Sequence, residues 1–302
     1  MRPEALREAT VKAAAKTTKA AARFSPPERG NRMRMAEIAC VYDIEPDPRT
    51  PGGVVAGAGG SSDDRDRRRP TAAGKWLTGS IADPAATVIA AAFDEATRRD
   101  PDQQRTWIAL VDGNAHQLDV IRAEAAERDV KVNILIDFVH VAEYVWNAAR
   151  VFFRGRPAAA ADTWVRDRLA AILHGDATEV AAGIRRRATH ENLRGNDRRT
   201  VDTTAGYLSN KPACLRYDQA LANGWPIATG VIEGACRHLV GDRLGITAAR
   251  WGLTGAEAVL LLRAVHSNHD LHDYWTYHLQ QEHHRNHNTK YQQSQREWEL
   301  AG

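Results

Sequence analysis

The pattern of apolar and polar positions predicts a parallel pair of buried strands in the first half of the chain. Two runs, TWIALVD at 106–112 and KVNILID at 131–137, are almost continuously apolar, which is typical of strands buried on both faces. A helical pattern at 115–128 separates them. Strand, helix and strand joined by short links predict two parallel strands with a helical crossover.

Other elements precede this unit. The segments MAEIACVYDI at 35–44 and KWLTGSI at 75–81 favour strands. Asp83-Pro84 favours a helix start, because Asp caps a helix well and Pro suits its first position, and we expect that helix to reach Arg99. An Ala-, Lys- and Arg-rich stretch predicts a basic helical arm at 1–30, and the Gly, Pro and charged residues of 46–73 predict a mobile loop.

From residue 141 onward the patterns are helical. They are interrupted by NGWPIATG at 223–230, resume near 231 and end with an apolar helix at 255–271, beyond which the polar tail after 280 is expected to fray. We therefore predict the first segment of an α/β core at 31–140, an all-helical insertion at 141–225 and a return to the core at 226–302. The predicted fold class is a helix-rich α/β protein with a small mixed sheet and a large all-α insertion.

The composition excludes several classes of protein. Three widely spaced cysteines form neither a disulfide framework nor a zinc pattern, and they fit a reducing cytoplasm. No apolar run approaches the roughly 18 residues that a membrane span needs, and the first residues have no signal-peptide core. We therefore expect a cytoplasmic protein without a membrane partner.

Basic residues are clustered although the net charge of the 302 residues is only +3. Arg185, Arg186 and Arg187 are adjacent, and Arg237 follows the segment GVIEGAC; these four are the candidate DNA-binding residues, because clustered arginines suit phosphate contacts. Solvated surface is the alternative interpretation of any one cluster.

Carboxylates occur at the predicted ends of elements. Asp112 ends one buried strand before Gly113, Asp137 ends the next strand three residues before His140, and Glu233 lies between two glycines. Taken singly, each residue has a structural explanation. Asp112 would end a turn, Asp137 would cap a helix, His140 would be a packed core histidine, and Glu233 would complement a helix dipole. Taken together, they predict oxygen ligands that converge at the carboxyl edge of the sheet, as metal-dependent phosphodiester cleavage requires.

Three segments in this order resemble one family. RTWIALVDGNAHQ, ILIDFVHVAEYVWNAA and PIATGVIEGACRHLV are similar to the ISKra group of insertion-sequence transposases, which are Mutator-like DDE enzymes, and the resemblance covers about residues 1–280. It implies an RNase H-like core, with Asp112 and Glu233 as catalytic residues and metal ligands and with Asp137 and His140 in support.

The resemblance also implies a cofactor and partners: a two-metal site for Mg²⁺ or Mn²⁺, and double-stranded DNA at transposon ends and target. The family's first catalytic Asp and its strand have no match here, because MRPEALREAT resembles the residues that follow them. Asp43 does not fill that role.

We therefore expect a fragment of a DNA transposase, an enzyme of metal-dependent DNA cleavage and strand transfer. We expect this fragment to be N-terminally truncated and inactive as it stands. The alternatives are a non-catalytic nucleic-acid-binding remnant of a transposase and an unrelated metal-dependent hydrolase. The choice between monomer and homodimer stays open.

Two further groups of residues carry alternatives. The histidines at 266, 269, 272, 283, 284 and 287 suggest a metal site, but their spacing drifts around a helix and favours a solvated helix end. Trp146, Trp164 and Trp225 could stack on a flipped base, although core packing is favoured.

Overall fold

The computed structural model describes residues 34–58, 71–245 and 251–288, which form a helix-rich α/β structure with few strands. The strands are β1 (Glu37–Asp43), β2 (Ala73–Ser80), β3 (Trp107–Val111) and β4 (Val132–Ile136). The helices are α1 (Pro51–Ala58), α2 (Ala85–Arg99), α3 (Ala115–Glu127), α4 (Phe138–Phe152), α5 (Ala158–Leu173), α6 (Ala177–His190), α7 (Gly195–Ser209), α8 (Tyr217–Ala222), α9 (Gly230–Cys236), α10 (Leu253–Ser267) and α11 (Leu271–His283). A 3₁₀ turn at Pro212–Cys214 and π-helical turns at Arg237–Gly241 and His284–Asn288 complete the described elements.

The described residues divide into two compact units. The first unit contains the described residues of Met1–Val41, Lys75–Ala92 and Gly234–Gly302. The second unit contains the described residues of Tyr42–Gly74 and Phe93–Glu233. No helix within the described ranges is both long enough and apolar enough to cross a lipid bilayer.

The second unit contains the predicted parallel pair. Strands β3 and β4 pair in parallel from Trp107↔Val132 to Val111↔Ile136, and α3 is the crossover between them. Each strand ends one residue before its acid, so the carboxylates of Asp112 and Asp137 begin the connections that follow. The prediction of a parallel pair with a helical crossover is confirmed.

The helical segment after β4 shares its core with the parallel pair. Along α4, apolar residues recur at the spacing of one helix face, and Val141, Val145 and Phe152 are buried in one cluster with Leu135 and Ile136 of β4. Helix α4 packs against α5 and α7, and α6 packs against the same two helices. The strands and the helices of 141–225 therefore stabilise each other within one unit.

The prediction of a loop over all of 46–73 is wrong for α1. The hydroxyl oxygen of Thr50 accepts the N–H of Gly53 at 3.2 Å, and Pro51 occupies the first helical position. Val54 and Val55 then pack against the core of the second unit. Thr-Pro is thus a helix start that outweighs the two glycines behind it. Residues 59–70 and the predicted arm at 1–30 lie outside the described residues.

In the described ranges the strands form two two-stranded sheets, β1–β2 and β3–β4, where the sequence predicts one mixed sheet. A side chain takes the place of a further strand beside β2. Asn268 accepts the N–H of Leu77 at 2.7 Å and donates to its carbonyl at 2.9 Å. Because both polar groups of Leu77 are satisfied by this amide, β2 has no ladder bond to offer a neighbour there.

The first unit also differs from the predicted helix at 255–271. Helix α10 ends at Ser267, His269 has a left-handed φ of 64°, and α11 begins at Leu271. The chain stays helical up to Asn288, so the prediction of fraying beyond 280 is wrong for these residues.

Glu257 on α10 is buried and accepts hydrogen bonds from the Ser80 hydroxyl and the Ile81 N–H, both at 2.7 Å. These bonds fix α10 to the end of β2.

Candidate active site at the carboxyl edge of the parallel strands

Asp112 and Asp137 lie side by side at one edge of the parallel pair. The register pairs Val111 with Ile136, and the N–H of Asp137 donates to the carbonyl of Val111 at 2.8 Å. Neighbouring strands are about 4.8 Å apart, so the two acids leave the sheet next to each other. The strands therefore bring these two predicted site residues together.

Asp137 is a buried carboxylate whose two oxygens are both engaged. One accepts the N–H of Val139 at 2.6 Å and caps α4. The other accepts the N–H of Thr229 at 2.8 Å and also the Thr229 hydroxyl. Beside it, the N–H of Phe138 donates to the carbonyl of Ile227 at 2.8 Å. Asp137 thus fastens residues 227–229 to the start of α4.

Glu233 follows this fastened segment by one helical turn. Its N–H donates to the carbonyl of Thr229 at 3.1 Å, and its side chain is exposed and makes no hydrogen bond or ion pair with any described residue. Hydrogen bonds therefore connect Val111, the residue before Asp112, to Asp137, Asp137 to Thr229, and the carbonyl of Thr229 to the N–H of Glu233. In the described ranges, no three His, Cys, Asp or Glu side chains are arranged as a metal-ion ligand set.

The turn that carries Asp112 is held from two sides. The exposed Asp112 carboxylate accepts the N–H of Asn114 at 2.7 Å, while its carbonyl accepts the Tyr207 hydroxyl at 2.7 Å. The ammonium of Lys211 donates to the carbonyl of Gly113. Gly113 has a φ of +88°, and a Cβ at this position would lie 3.1 Å from the Tyr207 oxygen. The turn therefore requires glycine both for its backbone conformation and for space.

Tyr207 reaches this turn from α7 and is stacked on Tyr144 of α4, with ring centroids 3.9 Å apart. Burial raises the pKa of the Tyr207 hydroxyl well above its ordinary value of 10.0, and Tyr144 and the Asp112 carboxylate raise it further. The hydroxyl therefore remains a hydrogen-bond donor throughout the neutral range. Neither Tyr207 nor Lys211 could be predicted from the sequence to contact this turn, because both lie in helical and turn patterns without any chemical motif.

His140 lies in the first turn of α4, three residues after Asp137. Its side chain is 45% exposed, and its Nδ1 is 3.4 Å from a carboxylate oxygen of Glu143. The structure therefore pairs His140 with its i+3 neighbour on the helix surface. Asp137 is bonded to Val139 and Thr229 instead.

The predicted DNA-binding arginines have different surroundings. Arg185 and Arg186 are exposed on α6; Arg185 donates to the Ser209 hydroxyl at 3.2 Å, and Arg186 donates to Glu179 at 2.8 Å. Arg237 has a side chain that is 85% exposed. These three guanidinium groups can reach a phosphate from the surface.

Arg187 is packed among aromatic rings instead. Its guanidinium lies 4.4 Å from the ring centre of Phe152, 4.6 Å from that of Phe153 and 5.7 Å from that of Trp164. It also donates to Glu191 at 2.8 Å. The structure therefore gives Arg187 a packing role, and it gives Trp164, which is buried in the same cluster, the core role that its sequence pattern favours.

No protein-family model matches the chain, and comparisons with curated proteins and with solved structures likewise give no match.

Proposed function

We propose that the chain is part of the catalytic core of a DDE-type DNA transposase, a class of enzyme that cleaves and joins DNA strands, and that Asp112 and Glu233 are metal ligands of that core. The observation that carries the proposal is the path of contacts at the carboxyl edge of β3 and β4. It links Val111, the residue before Asp112, to Asp137 across the sheet, and Asp137 to Thr229, one turn before Glu233. The order of these residues, with helices between the second strand and Glu233, agrees with the family resemblance, and an RNase H-like core is included in this proposal.

The donor groups of Asp112 and Glu233 fit magnesium. In phosphoryl-transfer sites Mg²⁺ is bound through one or two carboxylates together with substrate phosphates and water. Both acids are exposed, so their oxygens can meet a DNA phosphate. Asp137 is unsuited to be a ligand, because its oxygens already accept three hydrogen bonds. When bound, the metal would activate an attacking oxygen and neutralise charge at the phosphorus.

The neighbouring residues would position these two acids. Tyr207 and Lys211 hold the carbonyls of the Asp112 turn, and Asp137 holds the segment that leads into the Glu233 helix. A site of this kind depends on such supporting contacts, because the reacting groups must be kept within a fraction of an ångström of their working positions.

The test is a titration of Mn²⁺ into the 302-residue chain with a short DNA duplex, read by electron paramagnetic resonance. We expect Asp112→Asn and Glu233→Gln each to weaken Mn²⁺ binding by about 10-fold or more, since loss of a ligand costs at least as much as loss of its outer-shell partners. The matched control is Asp119→Asn, which removes an exposed carboxylate on α3 and should leave Mn²⁺ binding unchanged.

The same samples separate the proposal from a binding protein without catalysis. Fluorescence anisotropy with labelled duplex DNA gives the DNA affinity with and without Mn²⁺. If the chain binds DNA equally well in both conditions, and if Asp112→Asn and Asp119→Asn bind Mn²⁺ alike, the transposase proposal is wrong and a nucleic-acid-binding function is favoured.

A further inference from the structure

A cavity of about 290 Å³ lies at the amino end of the parallel strands, within the second unit. Trp107 begins β3, whereas Asp112 follows the other end of this strand, about 16 Å away at the rise of a parallel strand. The cavity is therefore separate from the candidate active site. Six of its lining residues have charged, amide or aromatic side chains: Gln103, Arg105, Trp107, Lys131, Asn133 and Trp225.

The charged residues of the lining are both cations. It contains Arg105 and Lys131 but no carboxylate. Lys131 is exposed, and its ammonium makes no hydrogen bond or ion pair with any residue in the described ranges. Arg105 donates to Asp43 at 2.6 Å, but Asp43 is shared with Arg99, and a guanidinium has further N–H donors. The two cations can therefore bind an anionic group such as a phosphate.

A buried carboxylate holds the aromatic wall of the cavity that comes from β3. Asp100 is 6% exposed and accepts the indole N–H of Trp107 at 2.9 Å. It also accepts the backbone N–H groups of Gln104 at 2.9 Å and Arg105 at 3.0 Å. One side chain thus fixes both the segment that leads into β3 and the indole. This side of the cavity is pre-organised, which lowers the cost of binding a ligand.

Trp225 is the second aromatic residue of the cavity. It is half-buried and packs against the core of the second unit. Its N–H donates to the carbonyl of Ala220 at 2.8 Å, and its carbonyl accepts a hydrogen bond from the guanidinium of Arg49. Asn133 adds an amide, which donates to the carbonyl of Trp107 at 3.3 Å and retains a second N–H and its oxygen. The cavity therefore combines flat apolar rings, amide groups and positive charge.

We propose that this cavity binds a nucleotide, with the base packed against Trp107 and Trp225 and the phosphate held by Arg105 and Lys131. A nucleotide matches all three kinds of lining group, because it has a planar base, polar groups on the base edge and a negative charge. Aromatic side chains combined with basic ones are a general means of binding nucleotides without reading their sequence. The nucleotide is either free or part of a single strand of DNA. This inference does not depend on the proposed function.

Isothermal titration calorimetry of dAMP into the full chain tests the proposal. EDTA is present, so the candidate metal site takes no part. We expect a dissociation constant of roughly 10–500 µM. Lys131→Gln should raise it by about 5-fold or more, because it removes a charge-assisted hydrogen bond to the phosphate. The matched control is Lys75→Gln, which removes an exposed lysine on β2 of the first unit and lowers the net charge equally. It should leave the affinity unchanged.

The contribution of the base is tested separately. Trp225→Leu should weaken dAMP binding by about 10-fold, the usual effect of losing a stacked aromatic ring. Trp225→Phe keeps a ring and should bind dAMP within about 3-fold of the wild-type chain. Circular dichroism should show both variants folded. Deoxyribose 5-phosphate lacks the base and deoxyadenosine lacks the phosphate, so each should bind at least about 10-fold more weakly than dAMP.

A single-stranded hexamer of deoxyadenosine separates the two sources, when compared with dAMP at equal nucleotide concentration. Tighter binding of the hexamer that is weakened by Lys131→Gln identifies a nucleotide within a single strand. Equal or weaker binding of the hexamer identifies a free nucleotide. The proposal is overturned if the chain binds neither compound at roughly 1 mM. Equal effects of Lys131→Gln and Lys75→Gln, or unchanged dAMP binding in a folded Trp225→Leu variant, would also overturn it.

Discussion

Replacing Asp137 with alanine tests whether this carboxylate joins two distant segments or only caps a helix. Asp137 is 3% exposed and accepts one hydrogen bond from Val139 and two from Thr229. A helix cap contributes about 1 kcal/mol, and a hydrogen bond to a charged group about 1.5–3 kcal/mol. Because these contributions are not fully additive, we expect Asp137→Ala to lower the free energy of unfolding by about 3–5 kcal/mol.

Asn114 provides a matched control at the neighbouring strand end. It caps α3 with φ −59° and ψ 126°, almost the same backbone conformation as Asp137, with φ −58° and ψ 125°. Its side chain is exposed and accepts the N–H of His116 at 2.9 Å. Asn114→Ala should therefore cost about 1 kcal/mol, the value of a cap alone. The excess cost of Asp137→Ala, about 2–4 kcal/mol, measures the contacts with Thr229.

Urea unfolding gives the two free energies, and hydrogen exchange locates the change. In Asp137→Ala, amides at 227–236 should exchange faster, whereas Asn114→Ala should leave them unchanged. Thr229→Val keeps the N–H donor but loses the hydroxyl, so it should cost about 1.5–3 kcal/mol. Equal costs for Asp137→Ala and Asn114→Ala, or unchanged exchange at 227–236, would refute the argument that Asp137 fastens the segment before Glu233.

Two further substitutions probe the neighbouring contacts. Gly113→Ala puts a Cβ on a left-handed backbone and 3.1 Å from the Tyr207 oxygen, so it should lower stability by about 1–3 kcal/mol in thermal melts and weaken Mn²⁺ binding; wild-type values for both would show that the turn tolerates a side chain. Arg187→Ala should lower the free energy of unfolding in urea by about 1–2 kcal/mol with little change in DNA affinity. Arg186→Ala should instead weaken DNA binding and change the free energy of unfolding by no more than about 0.5 kcal/mol. The opposite pattern would contradict these roles.

The parallel pair could be predicted from sequence because its signal is local. Two short apolar runs on either side of a helical pattern have few other solutions, and the observed strands end one residue before the predicted acids. The helix start at Thr50-Pro51 was also a local signal, but the surrounding glycines and charged residues concealed it. Its stability comes from Val54 and Val55 packing on a core that the segment itself does not show.

The role of Asp137 could be predicted only in part. The helix cap follows from its position before α4, but its second partner is 92 residues away in the chain. Tyr207 and Lys211 are likewise 95 and 98 residues from the carbonyls that they hold. A single sequence contains no spacing rule for such contacts, because they depend on how the helices of 141–225 pack. The acids at the strand ends could therefore be located from local signals, whereas the distant side chains that contact their turns could not.

These contacts assign a physical role to the helices between β4 and Glu233. Helix α7 brings Tyr207 to the Asp112 carbonyl, and the turn after it brings Lys211 to the next carbonyl. At the second strand, the buried hydroxyl of Tyr217 on α8 donates to the carbonyl of Ile136 at 2.7 Å. The ends of both parallel strands are thus held by side chains from this one segment, which shares their core. The chain then passes directly to Thr229 and to α9, the helix that carries Glu233. The helices that hold the Asp112 turn therefore also determine where α9 begins. A change in their packing should therefore alter the candidate site without any substitution of its acids.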